Sequence, residues 1–170
     1  PPAEMPDQDF PMVLNTGRLQ HQWHTMTKTG KIPTLNKLNP GPFIEVNPED
    51  AALLEIKDRD HVEIRSRRGR AILPAVVTDR VLPGNCFAPF HWNDVFGENL
   101  AINAATSDAI DPVSQQPEFK FSAVTLGKVV EPPTATNTRQ ADTHAHLGKD
   151  AHTNNTKEIA MKDIDTLAQL

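Results

Sequence analysis

With one cysteine among 170 residues, the chain can form no internal disulfide, CxxC redox pair or thiolate metal cluster. That residue, Cys86, stands in the apolar run Cys86-Phe-Ala-Pro-Phe90 and reads as a buried packing residue rather than a nucleophile. A lone free thiol suits a reducing cytoplasm. Long apolar runs are also missing: none approaches the roughly 18 residues of a spanning helix, and no secretory signal opens the chain. A mean hydropathy of −0.47 fits a soluble protein with no membrane partner. An initiator methionine is lacking too, since the chain begins Pro1-Pro2, and we read it as excised from a longer protein.

The most telling shortage is local. The chain carries 22 acidic residues and a net charge of −5, which argues against general nucleic-acid binding. From Pro11 to Ile44, however, it holds neither Asp nor Glu, while Arg18, Lys28, Lys31 and Lys37 fall inside that window. An acidic protein that clears carboxylates from one segment is prepared to receive an anion. Inside the window lies Thr16-Gly17-Arg18-Leu19-Gln20-His21-Gln22-Trp23-His24-Thr25, directly after the apolar run Pro11–Asn15. Glycine lets the backbone approach a ligand closely, arginine supplies charge, and hydroxyls and imidazoles supply hydrogen bonds. Such a segment suits a phosphate-bearing, ring-containing ligand.

Residues 1–10, rich in Pro and acids, read as a linker, and residues 11–130 carry nearly all the strand pattern. Strands are expected at 11–15, 43–46, 62–66, 71–78, 86–90 and 122–126, with Val62-Glu-Ile-Arg-Ser66 alternating at period two. Asn47-Pro48-Glu49-Asp50 has the order of a helix start: N-cap, Pro at the first turn, then acids facing the positive dipole end. Arg67-Arg68-Gly69-Arg70 reads as a solvated hairpin turn rather than a binding patch. A string of short strands with one or two short helices points to a small β-barrel. From Glu131 to residue 158 the composition is that of a flexible linker, and residues 159–170 place apolar side chains at helical spacing. His144, His146 and His152 are too irregularly spaced for a metal tract, so no metal site is expected.

Four motifs occur in one order: Thr16-Gly-Arg-Leu-Gln-His-Gln-Trp-His-Thr25, Phe43-Ile-Glu-Val-Asn-Pro-Glu-Asp-Ala51, Ser66-Arg-Arg-Gly69 and Asp111-Pro-Val-Ser114. Over roughly residues 10–130 this series resembles the C-terminal domain of molybdopterin oxidoreductases of the dimethyl sulfoxide reductase family. The assimilatory and periplasmic nitrate reductases are the most similar branch. The resemblance implies a mainly β fold, a six-stranded double-psi β-barrel with short peripheral helices. It implies a molybdenum bis(molybdopterin guanine dinucleotide) cofactor, capped by this domain and contacted by Thr16 to Thr25, with Asn103 and Lys120 as further contacts. Phe90 matches a position at the substrate funnel, and His91 and Trp92 are candidates for its rim.

The same resemblance places an iron–sulfur cluster and the molybdenum ligand in a part of the enzyme outside this chain. The fragment alone is then catalytically incomplete, with the rest of the catalytic subunit as partner and nitrate, reduced to nitrite, as substrate. A flavoprotein module or electron donor could follow the 131–170 tail. Other readings stay open from the residues alone. Trp23 could be a core residue, Lys120 a surface charge and Asn103 a turn or capping residue. A formate dehydrogenase-like molybdenum or tungsten enzyme, or a non-catalytic double-psi recognition module, is the alternative function.

Overall fold

The computed structural model describes residues 1–130. The segments 131–158 and 159–170, including the three tail histidines, lie outside the described residues. Six strands form: β1 (Met12–Gly17), β2 (Ile44–Val46), β3 (His61–Arg65), β4 (Arg70–Val77), β5 (Asn85–Pro89) and β6 (Ser122–Lys128). Each matches an expected strand to within a few residues. Two short helices accompany them, α1 (Pro33–Leu38) and α2 (Pro48–Leu53). At α2, Asn47 caps as its sequence suggests: its side chain accepts from the Glu49 amide at 2.9 Å, and its amide donates to the Val81 carbonyl at 2.8 Å. By contrast, α1 has no side-chain cap and no buried residue, so it leaves no periodic signal in the sequence.

The strands close into a barrel in the order β1-β5-β2-β4-β3-β6. Two pairs are parallel, β1 with β5 and β2 with β4, and the remaining neighbours are antiparallel. A mainly β, closed six-stranded barrel with short helices is the architecture expected from the sequence. Period-two alternation puts Leu14, Ile44, Val46, Val62, Ile64, Leu73 and Val124 inside, all with no exposed surface. Removing such side chains from water stabilises the fold by about 1.5–3 kcal/mol each. Cys86 belongs to this core, as its apolar context suggests.

Register decides where the connections emerge. Gly17, at the end of β1, lies opposite Pro89, at the end of β5, and Leu14 lies opposite Ser122 at the start of β6. The start of β2, the start of β4 and the end of β3 meet at that same end of the barrel. The two longest connections, 18–43 and 90–121, therefore leave from one mouth, together with the turn at 66–69. α2 stands at the opposite end.

Two segments carry contacts that the sequence does not announce. Arg67 and Arg70 stay exposed, as expected of a solvated turn, while Arg67 and Arg68 are also paired. Arg67 meets Glu4 at 2.5 Å and also pairs with Asp7, and Arg68 reaches Glu4 at 2.8 Å and donates through Nε to the Thr106 carbonyl at 2.7 Å. Residues 1–10, expected as a linker, contain no strand or helix. They lie against the barrel through these pairs, the Ala3 amide on Glu118 at 3.1 Å, and Phe10 under the Arg67 guanidinium at 4.5 Å. The turn is cationic because it grips an acidic strap.

Candidate functional site

The site is built where β1 and β5 end side by side. The Phe90 amide donates to the Gly17 carbonyl at 3.2 Å, so the first residue beyond β5 is tied to the last residue of β1. Thr16 is buried, with its hydroxyl donating to the Phe119 carbonyl at 2.7 Å, and its own carbonyl accepts from Lys120 Nζ. A methyl group on Gly17 would lie 2.9 Å from the Phe87 ring and 3.3 Å from Lys120 Nζ. Glycine stands there because the ring and the ammonium close over the backbone. Thr16, Gly17, Phe90 and Lys120 are thus brought together from three segments.

Beyond Gly17 the chain turns outward. Arg18, Gln20, Trp23, His24 and Thr25 are exposed, while Leu19 and His21 are half-buried. Trp23 is 44% exposed, which rules out the core reading for it. Its ring lies 6.0 Å from the Arg18 guanidinium and 5.8 Å from Lys28 Nζ, and the His24 ring meets it edge-on at 4.4 Å. The result is a flat aromatic surface flanked by two cations in a stretch with no carboxylate.

Gln22 points the other way and is buried, its Oε1 accepting from the Thr29 hydroxyl at 2.7 Å. Thr29 also accepts from the Trp23 amide at 3.1 Å, so one hydroxyl links the two residues. The Gln22 Nε2 donor has no partner. Beside the loop lies a groove of about 360 Å³ between Thr25, Met26, Lys31, Asn93, Val95 and Phe96.

The loop is held from below by a residue expected at a funnel rim. His91 and Trp92 are buried, not at an open edge, because the chain after Phe90 turns inward beneath the 18–25 loop. His91 Nε2 accepts from the Leu19 amide at 2.8 Å, and Nδ1 meets the His24 carbonyl. Burial holds the His91 imidazole below its ordinary value, with the neighbouring Arg18 and His24 charges acting in the same direction and the His24 carbonyl opposing them. His24 and Met26 sit at φ +41° and +59°, left-handed positions that cost a non-glycine residue about 1–3 kcal/mol. Sequence reasoning missed the burial because a Phe-His-Trp run after a strand carries no periodic sign of which side chain faces in.

Asn103 stands apart on a single 3-10 turn, Ile102–Ala105, packed over the turn between β3 and β4. It is exposed, and its backbone carbonyl accepts from the Thr106 hydroxyl at 2.9 Å. Phe90 is half-buried, its ring 5.0 Å from His91. Among the described residues no group of three or more His, Cys, Asp or Glu could hold a metal ion. No helix among them is long and apolar enough to cross a membrane.

An acid-free loop carrying cations and an aromatic face, mounted where the parallel strands β1 and β5 of a closed barrel end, has the chemistry to receive an anion. Residues 12–123 match the Molydopterin dinucleotide binding domain, and the chain belongs to that family. It is 43% identical over 126 residues to the periplasmic nitrate reductase of Desulfovibrio desulfuricans, covering 74% of this chain and 16% of that protein. It is 43% identical over 127 residues to the nitrate reductase of Synechocystis sp., covering 75% and 18%. To the F420-dependent formate dehydrogenase subunit alpha of Methanocaldococcus jannaschii it is 37% identical over 127 residues, covering 75% and 18%. The chain thus spans less than a fifth of these relatives. The acetylene hydratase of Pelobacter acetylenicus shares the fold, with a TM-score of 0.62 and 15% identity over 72% of this chain and 19% of that one.

The residues present fit a molybdopterin dinucleotide. A diphosphate needs cations, which Arg18, Lys28 and Lys120 supply. A fused heterocycle needs a flat face, which the exposed Trp23 ring offers.

Proposed function

We propose that this chain is the cofactor-capping C-terminal domain of a molybdenum nitrate reductase, acting within a larger cytoplasmic catalytic subunit and holding a bis(molybdopterin guanine dinucleotide). The observation that carries this reading is the Arg18–Lys28 loop, which exposes Trp23 between two cations and excludes carboxylates. The nitrate reductase relatives, 37–43% identical, support the choice of branch. When bound, the cofactor supplies the two-electron oxygen-atom transfer that turns nitrate into nitrite. The iron–sulfur cluster and the molybdenum ligand belong to the rest of the subunit.

In this reading Thr16 to Thr25 grip the dinucleotide, with Arg18 and Lys120 as counter-charges to its diphosphate. Lys120 would trade its bond to the Thr16 carbonyl for phosphate oxygen, a charge-assisted exchange in place of a neutral acceptor. Asn103 donates to and accepts from heterocycle edges, and Phe90 lines the substrate funnel. A second reading, a formate dehydrogenase-type enzyme, is favoured by relatives at 36–37% identity that carry that name.

The test is made on the whole enzyme that carries this domain. Molybdenum per chain is measured for wild type and Arg18→Ala, alongside nitrate reduction by a reduced dye and formate oxidation by an oxidised one. Lower molybdenum in the variant with nitrate turnover in wild type is the expected result, and Phe90→Ala should change the nitrate KM. Equal molybdenum in both proteins would overturn the role of Arg18. Formate oxidation without nitrate reduction would select the second reading.

A further inference from the structure

We infer that His91 is the positioning residue of the dinucleotide loop: one buried imidazole clasps two backbone groups five residues apart and so fixes the loop's shape. The inference rests on the dinucleotide reading only for what the loop receives; the clasp itself stands on geometry. The Leu19 amide donates to Nε2 at 2.8 Å, so Nε2 must carry a lone pair. The His24 carbonyl can only accept, so Nδ1 must carry the proton. A single neutral tautomer meets both demands, and neither the other tautomer nor the imidazolium does.

The side chain is held where it can do this. It has no exposed surface, with the Phe90 ring 5.0 Å and the Trp92 ring 6.0 Å away. Each partner follows directly on an outward-facing residue, Leu19 on Arg18 and His24 on Trp23. His24 occupies the left-handed region at φ +41°, and the bond to its carbonyl opposes relaxation of that turn. The hydrogen bonds of His91 go to backbone groups of the loop, the Leu19 amide and the His24 carbonyl. Its effect on binding passes through the placement of Arg18 and Trp23.

The experiment uses the full chain as wild type, His91→Gln and His91→Leu, with GDP as the probe of diphosphate and purine recognition. Three quantities are read: the ring nitrogen shifts of His91 in wild type, hydrogen exchange at the Leu19 amide, and GDP affinity by titration. The expected results are an Nδ1–H tautomer in wild type and a Leu19 amide protected there but released in His91→Leu. GDP affinity should fall about tenfold in His91→Leu, the scale of losing one or two hydrogen bonds that order a loop. Glutamine offers one acceptor and one donor, so His91→Gln should recover most of both properties.

An Nε2–H tautomer, or a Leu19 amide that exchanges freely in wild type, overturns the inference. So does unchanged Leu19 exchange in both variants. Should wild type not bind GDP, the failure counts against the dinucleotide reading, and tautomer and exchange alone still decide the clasp. Should His91→Leu not fold, the wild-type tautomer and the His91→Gln exchange rates decide it.

Discussion

The ammonium of Lys120 donates to the carbonyl of Thr16, so a residue from the segment before β6 covers the backbone on which β1 ends. Gly17 is the spacer that permits this. A methyl at position 17 would lie 2.9 Å from Phe87 Cε2, inside contact distance, and 3.3 Å from Lys120 Nζ. The lysine can swing away, but the ring belongs to Phe87 on β5, the strand paired directly with β1. Gly17→Ala should therefore destabilise the chain by about 1–3 kcal/mol through overpacking. Urea unfolding of the full chain measures it. A cost near zero would mean that the Phe87 ring gives way freely.

Gly69 makes the same point with backbone on both sides. A methyl there would stand 2.6 Å from the Ala104 carbonyl oxygen, and no rotamer change can relieve that contact. Either the turn between β3 and β4 or the 3-10 turn carrying Asn103 must move. Gly69→Ala should lower stability by about 1–3 kcal/mol and perturb the Asn103 amide signal more than that of Trp23. An unperturbed Asn103 signal would argue that the two turns are not in register.

Stability should depend on pH through His91. Burial depresses its folded-state value below the ordinary 6.5, so at mildly acidic pH the unfolded chain binds a proton that the folded chain does not. The contribution is complete above about pH 6.5 and is lost as pH falls toward the depressed folded value. Unfolding free energies measured between pH 7.5 and 5 should decline for wild type and decline less steeply for His91→Gln. Parallel slopes in the two proteins would remove His91 as the cause.

Cys86 should be silent toward alkylating reagents. Its thiol is fully buried, and both burial and the charge of Asp50 push its ionisation up, away from the thiolate that reacts. Iodoacetamide should label the native chain only through global unfolding and label it promptly in denaturant. Rapid native labelling would show that β5 opens locally.

Much of the barrel was legible because its signals are local. Val62 to Arg65 alternates cleanly, and Asn47-Pro48-Glu49-Asp50 names its own cap. The candidate loop was legible for a different reason, a missing class of residue. What stayed hidden depends on partners far away in sequence. The arginines at 67 and 68 look like an ordinary polar turn until Glu4 and Asp7 are brought 60 or more residues back onto them. His91 looks like a rim residue until Leu19 and His24 are laid over it. No period or propensity encodes such meetings, which only the closed barrel creates.

The parallel pairing of β1 with β5 has a consequence for how such a domain can diversify. Because both strands discharge their chains at the same mouth, sequence changes there can alter the loops without disturbing the end at which α2 stands. The end bearing α2 is correspondingly free to adapt to whatever surface it abuts. The long loops and α2 thus occupy opposite poles of one small scaffold, and each can drift without dragging the other along.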